Sequence, residues 1–427
     1  MVSAAVENLL RDIKLSTVVP ASITGEDKNH HFTNLDLALK LHYITTVHFF
    51  GGDAAAGLTI HDFKKPMFLW LQLYYPISGR IRRQDGGGRP YIKCNDSGVR
   101  IVEATCTKTV AEWLAAVNGG DHHRLLVYDQ PLLAHDFGFT PLVFLQLTKF
   151  ECGGLCVGMR WAHFLGDAVS ATDCINMWAK IMANQVAPPQ LLPTPTTPTT
   201  HHHPPPPLSA VKLLESVGDN WLAPNNSRMQ SHTLHITEEQ LSNLLSRERN
   251  KNNAEIIFQV ISALIWKSMA RIREAKIVTV CKNTKSDLKN DELPSNARMV
   301  IGVVEAESTV MIADADPLEI AKMIAENFVD QTSVIDREME EGEGKLDFVV
   351  YGSNLTFLNL EGLDLYGLEI KGRRPIFGSI SVGGVGDGGA VVVAPDAGGG
   401  GRVVNVILPE DQLHHLKNEL RVEWGIL

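Results

Sequence analysis

The stretch GLCVGMRWAHFLGDAVSATDCINMWAKI, residues 154–181, decides the fold that we predict for this chain. Residues 155–161 of this stretch alternate side chains at the two-residue period of a β-strand, and so do residues 141–150. The short glycine-containing segment ECGG joins the two, which predicts a hairpin. Apolar side chains then recur at helical spacing over residues 168–184. His163 is therefore expected where a strand ends and just before a helix begins.

The motif His163-x-x-x-Asp167 is the candidate chemistry of this stretch. An imidazole at a strand end can act as a general base on an acceptor hydroxyl or amine. The four-residue spacing puts Asp167 in the same tight loop, where a carboxylate would brace the loop without touching the substrate. Spacing alone is weak evidence, because a chain with 16 histidines contains roughly one such motif by chance.

Length and composition predict more than one domain. The chain has 427 residues, of which 44% are apolar, and domains average about 150 residues. The stretch VAPPQLLPTPTTPTTHHHPPPP (186–207) contains nine prolines, which cannot donate backbone hydrogen bonds. We therefore predict a semi-rigid, protease-sensitive linker over residues 187–207 between domains at residues 1–186 and 208–427.

Helical and strand-like patterns mix throughout the rest of the chain, which predicts an α/β protein. A capping box from Thr237 to Gln240 opens one predicted helix. The remaining predictions are a mostly buried helix over 34–49, helices over 254–273, over 316–329 and after Pro409, strands over 277–281 and 354–360, and a hairpin that pairs 390–395 with 402–408.

Charge and hydropathy exclude several classes of partner. A formal charge of −10 and a pI near 5.9 argue against nucleic acid and give no polybasic patch for anionic lipid. No apolar run approaches the about 20 residues of a membrane helix. The start of the chain carries Glu7 and Asp12 and no long apolar region, so a cytosolic protein without a signal peptide is expected. Six cysteines in so long a chain indicate a reducing compartment.

Several patterns imitate functional sites. Cys152 and Cys156 lack the paired CxxC of a zinc site, and the triple at His201–His203 is interpreted as low complexity, so no metal is expected. Residues 384–389 (GVGDGG) match G-x-G-x-x-G, but a predicted strand follows them, which favours a hairpin loop. Residues 398–401 are likewise interpreted as a loop.

Two further alternatives concern catalysis and substrate binding. A serine hydrolase is excluded because no G-x-S-x-G is present; Ser379 and Ser381 lie in GSISVG. The aromatic residues Trp161, Phe164 and Trp178 could line an acyl tunnel, but such spacing is more typical of a plain core.

Residues 154–181, with LYYPISGRI (73–81) and KCNDSGVRIVEA (93–104), resemble the BAHD acyltransferases of plants over essentially the whole chain. The resemblance implies two similarly folded mixed-sheet domains, a crossover linker and a solvent channel between the domains. It also implies that His163 is the general base for attack on an acyl-coenzyme A thioester, while Asp167 is structural. Acyl-coenzyme A would then be a cosubstrate, and no cofactor or metal would be bound.

The chain departs from the BAHD pattern at three places. The D-F-G-W-G signature falls on residues 369–375 (EIKGRRP), and the Y-F-G-N segment reads ARMVIGVV. The V-D-x-R strand falls on residues 280–283, so Asn283 stands where an arginine would pair with Asp167. Lys282 or Lys285 could replace that arginine, but lysine lacks the bidentate fork. We therefore expect Asp167 to be poorly paired and the loop to be held loosely.

The N-terminal stretch at residues 16–50, together with NLTFLNL (354–360) and GVGDGG, resembles the eceriferum/Glossy group of cuticular-wax proteins. This resemblance implies a role in very-long-chain fatty acid elongation beside the condensing enzyme of the endoplasmic-reticulum elongase. Two hypotheses follow from it. The chain is either a monomeric accessory scaffold at the cytosolic face of that membrane, or a working acyl-coenzyme A-dependent transferase that uses His163.

Overall fold

The structure, a computed structural model, describes residues 9–84, 87–116, 122–185, 207–246, 253–284 and 293–426. The predicted linker falls on residues that the structure does not describe, apart from its last proline. The histidine triple and Lys285 also lie outside the described residues.

Strands and helices alternate along the described part of the chain. The strands are β1 Leu10–Val18, β2 Asn29–His31, β3 Tyr43–Phe50, β4 Arg80–Arg83, β5 Pro90–Lys93, β6 Val99–Cys106, β7 Val143–Phe150, β8 Leu155–Ala162, β9 Lys212–Leu213, β10 Met229–Ile236, β11 Ile277–Asn283, β12 Met299–Glu305, β13 Val329–Asp330, β14 Phe348–Val349, β15 Leu355–Asn359, β16 Phe377–Gly383, β17 Ala390–Pro395 and β18 Arg402–Pro409. The helices are α1 Asn34–Ala38, α2 Gly52–Ala55, α3 Ile60–Leu73, α4 Val110–Ala116, α5 Ala168–Met182, α6 Glu238–Leu244, α7 Ala254–Ala270, α8 Thr309–Asp314, α9 Pro317–Glu326, α10 Thr332–Glu341 and α11 Glu410–Trp424.

Two large mixed sheets organise the molecule, and the predicted two-domain α/β fold is confirmed. The first sheet has the order β1-β6-β7-β8-β3-β16, and the second has the order β10-β18-β17-β15-β11-β12-β13. Two smaller sheets accompany them, β2-β5-β4 and β14-β9. The largest apolar cluster contains residues from both halves of the sequence, so the two layers share a core.

The predicted hairpin around residue 153 is the centre of the first sheet. β7 and β8 are antiparallel, with Val143 opposite Trp161, and β8 lies between β7 and β3. Every residue of β8 is buried because helices or loops cover both faces of this central strand. The predicted helix follows as α5, so the strand–loop–helix order around His163 is confirmed.

β16 completes the first sheet, although it follows the proline tract by 170 residues or more of sequence. It pairs antiparallel with β3, with Gly378 opposite His48. The first sheet is thus assembled from both halves of the chain. The division into residues 1–186 and 208–427 stays a prediction.

The second sheet confirms most of the predictions made after the linker. β17 and β18 form the expected hairpin, and β11 and β15 run parallel. The capping box at Thr237 opens α6, with the side chain of Thr237 accepting a hydrogen bond from the backbone of Gln240. The helix predicted over 316–329 is shorter, since α9 ends at Glu326 and Val329 begins β13.

Two sequence interpretations are wrong. The helix predicted over residues 34–49 is α1 followed by the strand β3, because β-branched and aromatic side chains in YITTVHFF favour a strand that is buried on both faces. Residues 384–389 do form a loop before a strand, but not a hairpin loop. They connect β16 in the first sheet to β17 in the second.

Candidate functional site

His163 lies in a single 3₁₀ turn, His163–Leu165, directly after β8. Gly166 follows, and Asp167 is the N-cap residue of α5. The backbone of this loop is fastened from both halves of the chain. The His163 amide donates to the carbonyl of His42 at 3.1 Å, and the Asn296 side-chain amide donates to the His163 carbonyl at 2.9 Å.

The imidazole of His163 is buried, with 1% of the residue exposed. Burial lowers the pKa of this side chain to about 4, because removal from water disfavours the charged form. The ring is therefore neutral near pH 7. Its Nε2 atom lies 2.6 Å from the hydroxyl of Tyr351, which comes from the second half of the chain.

The contact with Tyr351 occupies the nitrogen that a general base would use. If the hydroxyl donates, the Nε2 lone pair is engaged; if Nε2 carries the proton and donates, it has no lone pair to offer. The phenol itself is no substitute base. Burial raises the pKa of Tyr351 well above its ordinary value, and the neighbouring Cys281 and Asp167 add to that effect.

Asp167 is well paired, so the expectation of a poorly paired carboxylate is wrong. One carboxylate oxygen accepts from the backbone amide of Ser170 at 2.8 Å, and the other accepts from the side-chain amide of Asn283 at 2.9 Å. The Asp167 backbone amide also donates to the Ser295 carbonyl at 3.3 Å. Asn283 thus keeps one of the contacts that an arginine at its position would make.

The positive charge that acts on Asp167 is that of Arg298, a residue that we did not predict from the sequence. Burial raises the pKa of Asp167, while the Ser170 hydrogen bonds, the charge of Arg298 and the Asn283 amide lower it. Lys282, proposed as the substitute, has its ammonium 4.2 Å from the ring centre of Phe328. Arg298 is the sole basic residue of ARMVIGVV, which is a signal that could have been noticed.

The segment at the position of the missing D-F-G-W-G signature forms a tight surface turn. Ile370 and Arg373 exchange backbone hydrogen bonds, and the two residues between them have left-handed backbone angles that suit glycine at position 372. The Lys371 ammonium donates to the Ala56 carbonyl at 2.5 Å, and Arg373 pairs with Asp53 at 3.1 Å. The altered segment therefore joins the second half of the chain to the region of α2.

A cavity of about 380 Å³ lies between the two halves, but His163 is not among its lining residues. Tyr43 and Arg160 from the first sheet form part of one wall, and β10 and β18 contribute the other. The Arg160 guanidinium stacks 3.5 Å from the ring centre of Tyr43 and pairs with Asp129 at 2.7 Å. This cavity is thus separate from the imidazole.

The aromatic residues Trp161, Phe164 and Trp178 belong to the core. All three are fully buried in the largest apolar cluster and are absent from the cavity wall. Phe164 meets Trp221 edge to face, with ring centres 5.3 Å apart. The core interpretation is confirmed.

No group of three or more potential metal ligands occurs among the described residues, and the six cysteines are free. Cys152 is exposed in the β7–β8 turn, whereas Cys156 is buried in β8. Nor is any helix of the described part long and apolar enough to cross a bilayer.

A mixed sheet that is completed by a strand from the other half of the chain, a second mixed sheet and a histidine loop together form the two-domain α/β fold of the acyltransferase type. The chain belongs to the Transferase family, the BAHD acyltransferases, whose pattern it matches over residues 10–422. The predicted family is confirmed. Among its relatives, Protein ECERIFERUM 2 of Arabidopsis thaliana is 38% identical over 96% of this chain and 97% of that protein. Protein ECERIFERUM 26 of the same plant is 35% identical over 98% and 96%.

Crystal structures of distant relatives share this fold. Vinorine synthase superposes with a TM-score of 0.69 at 17% identity, over 97% of this chain and 98% of that one. TRI101 of F. graminearum, complexed with coenzyme A and deoxynivalenol, gives 0.67 at 13% identity, over 92% and 97%. At these identities the likeness concerns the fold alone.

Proposed function

We propose that this chain is a BAHD acyltransferase-like protein of cuticular wax biosynthesis. It acts in very-long-chain fatty acid elongation as an accessory to an elongase condensing enzyme. The near full-length similarity to two ECERIFERUM proteins supports the assignment to this group. In this proposal the chain contributes a shaped surface to its partner and does not itself transfer the acyl group.

The contact between His163 and Tyr351 carries the proposal. General-base catalysis needs a ring nitrogen within hydrogen-bond reach of the acceptor's proton. Here Nε2 lies 2.6 Å from a buried hydroxyl of the same chain, and only 1% of His163 is exposed. A scaffold tolerates this arrangement, since nothing needs to be deprotonated.

The alternative is an active acyl-coenzyme A-dependent transferase that esterifies a hydroxyl or amine acceptor through His163. The coenzyme A complex of TRI101 supports only acyl-coenzyme A as a possible cosubstrate for this fold. The alternative requires Tyr351 to leave Nε2 before substrate can approach. Asp167 has a structural role in either proposal, because its carboxylate accepts hydrogen bonds from Ser170 and Asn283.

Substitution of His163 separates the two functions. His163→Ala should preserve most wax-chain elongation when it is expressed in a mutant plant that lacks this protein. An active transferase would instead lose about 10²- to 10⁴-fold in rate with its general base. The measurement is the chain-length profile of the surface wax, with the abundance of the variant checked by immunoblot. A null phenotype at normal abundance would restore the enzyme hypothesis.

We infer that the protein works as a monomer at the cytosolic face of the endoplasmic reticulum, held there by the condensing enzyme. The inference follows from the proposed partner, which is a membrane enzyme. In cell fractionation, the protein should sediment with microsomes when the condensing enzyme is present and remain in the supernatant when it is absent. Equal sedimentation in both cases would indicate direct lipid binding and contradict the inference.

A further inference from the structure

We propose that Tyr351 is an occluding residue: its side chain fills the substrate position at His163 and keeps an otherwise assembled acyl-transfer site latent. This inference rests on the proposed accessory function and deepens it. It predicts that the removal of one side chain exposes chemistry that the native protein does not perform.

The backbone of the His163 loop and the Asp167 carboxylate are held by hydrogen bonds from both halves of the chain. The His163 carbonyl is bound by Asn296, and the Asp167 carboxylate is bound by both Ser170 and Asn283. The Asn296 amide also donates to the buried carboxylate of Asp36 at 2.9 Å, which links the loop to the N-terminus of α1. These bonds fix the backbone from which the imidazole projects. What the site lacks is access for a substrate.

Tyr351 is fixed in place by its own backbone. Its carbonyl accepts from the amide of Gly386 at 2.9 Å, and the preceding amide of Val350 donates to the His42 ring at 3.0 Å. The phenol ring packs against the imidazole of His42, with 4.7 Å between ring centres. The hydroxyl therefore occupies one defined position at Nε2.

A buried ion pair fastens the segment before Tyr351 to the first half of the chain. The Lys40 ammonium lies 2.7 Å from the Asp347 carboxylate and donates to the Leu346 carbonyl at 3.0 Å. Residues 348–349 form β14, which pairs with β9. Since residues 346–351 are held along their length, the occluding side chain belongs to a rigid strap between the halves.

Truncation of Tyr351 would change both the space and the electrostatics at His163. The lost phenol ring leaves a space beside a polar nitrogen, and a water needs about 30 Å³ and polar partners. Hydration of the ring would raise the pKa of His163 from about 4 toward its ordinary value, because burial is the main cause of the depression. The neutral imidazole then faces water or a ligand, as a general base requires.

The latent reaction is hydrolysis of an acyl-coenzyme A thioester, with water as the acceptor. The water oxygen attacks the thioester carbonyl carbon of an acyl-coenzyme A while Nε2 of His163 takes the proton. The carbon–sulfur bond breaks, and the imidazolium returns that proton to the leaving thiolate. The products are a fatty acid and coenzyme A with a free thiol, so no further reactant is needed.

The first test measures access with diethyl pyrocarbonate, which acylates neutral imidazoles, followed by mass spectrometry of peptides. In the native protein His163 should be protected, while His135, whose side chain is 71% exposed, reacts and serves as the internal standard. In Tyr351→Ala, His163 should react. In Tyr351→Phe it should stay protected, because the ring still covers it. Circular dichroism and thermal unfolding establish that each variant is folded.

The second test measures thiol release from acetyl- and palmitoyl-coenzyme A. We expect Tyr351→Ala to exceed the double variant Tyr351→Ala, His163→Ala by about 10²-fold, the low end of what a positioned general base contributes. Tyr366→Ala is the matched control, since Tyr366 is also a largely buried tyrosine whose hydroxyl bonds Gly378. Its thiol release should equal that of the native protein. If Tyr351→Ala does not fold, Tyr351→Leu, which keeps apolar volume, replaces it.

Three results would overturn the inference. One is a native His163 that reacts with diethyl pyrocarbonate as fast as His135. Another is a folded Tyr351→Ala or Tyr351→Leu in which His163 stays protected. The third is a folded Tyr351 variant whose His163 reacts with diethyl pyrocarbonate but which shows no His163-dependent thiol release. Failure of the proposed function has a different signature, which is His163-dependent thiol release by the native protein.

Discussion

At the scale of single residues, Asp167 makes two separate structural contacts. It caps α5 through Ser170, and it accepts the only side-chain amide hydrogen bond that the structure gives Asn283 among the described residues. Asp167 itself is buried, whereas Ser170 and Asn283 are half-buried, so a donor that loses this carboxylate is only partly shielded from water. The carboxylate is thus an organising group of the His163 loop.

Removal of this carboxylate should destabilise the protein. Loss of an N-cap costs about 1 kcal/mol, and the half-buried donor on Asn283 that loses its partner adds about 1 kcal/mol, the low end for such groups. We expect Asp167→Ala to lower the free energy of unfolding by about 2 kcal/mol, measured by urea denaturation. Asp167→Asn is the matched control, because it can still cap α5, and it should lose less than Asp167→Ala. Equal stability of Asp167→Ala and the native protein would reinstate the poorly paired carboxylate.

At the scale of elements, β8 makes a close backbone contact that leaves no room for a side chain at Gly158. A Cβ atom added at Gly158 would lie 1.9 Å from the carbonyl oxygen of Leu126, which belongs to the 3₁₀ turn His122–Leu126. That turn covers β8 next to an apolar cluster that includes Trp113 and Phe150. The glycine therefore lets the turn approach the strand that leads to His163.

Gly158→Ala should push this turn away from the sheet. Overpacking of a filled interior costs about 1–3 kcal/mol, because the backbone must shift. Gly383→Ala is the matched control in β16 of the same sheet, where an added Cβ would lie an ordinary 3.6 Å from Tyr43. We expect the midpoint of thermal unfolding to fall for Gly158→Ala and to change little for Gly383→Ala. Equal effects would show that this close approach is unimportant.

The crossing of β16 is the other decisive feature at this scale. In the first sheet, β16 pairs with β3 and β3 pairs with β8. His163 directly follows β8, so it lies at the end of a sheet that the second half of the chain helps to build. The side-chain amide of Asn405 in β18 donates to the Ser379 hydroxyl at 2.9 Å and to the Ile380 carbonyl at 2.5 Å. These bonds join β16 to the second sheet and couple the two halves.

For the whole molecule, buried histidines govern the response to acid. Burial lowers their pKa values, so the folded protein binds fewer protons than the unfolded chain once the pH falls below about 6.5. Each such histidine reduces the free energy of unfolding by about 1.4 kcal/mol per pH unit until its own folded pKa is reached. The histidines concerned have folded pKa values of about 3 at His42 and about 4 at His48, His123, His163 and His232.

The protein should therefore lose stability steeply between pH 6.5 and pH 4. Burial raises the pKa of Asp173 to about 6 and also raises the pKa values of Asp167 and Glu361. These carboxyls oppose the trend by binding protons in the folded state, but the five histidines outnumber them. Urea denaturation at pH 7.5 and pH 5 tests the prediction. His48→Gln should reduce the slope by about 1.4 kcal/mol per pH unit, because it removes one proton-binding site of the unfolded chain. Stability that is independent of pH over this range would contradict it.

Short-range patterns were sufficient for much of the fold. Alternation at period two and period 3.6 located the β7–β8 hairpin, α5, α6 and the β17–β18 hairpin, and the ordered motifs identified the BAHD family. These features depend on residues that are close in sequence, where periodicity and capping act. The strand β3 was mistaken for helix because a segment buried on both faces loses its alternation.

The state of the candidate site was decided by tertiary structure alone. His163 could be located from its motif, but Tyr351, which occupies its Nε2, is 188 residues away in sequence. Arg298 and Asn296 are likewise more than 100 residues from the loop that they support. No local propensity indicates such a contact, because hydrogen bonding and burial are properties of the packed interior. The sequence therefore determined that a histidine loop of the acyltransferase kind is present, and only the packing of the two halves determined that its imidazole is buried against Tyr351.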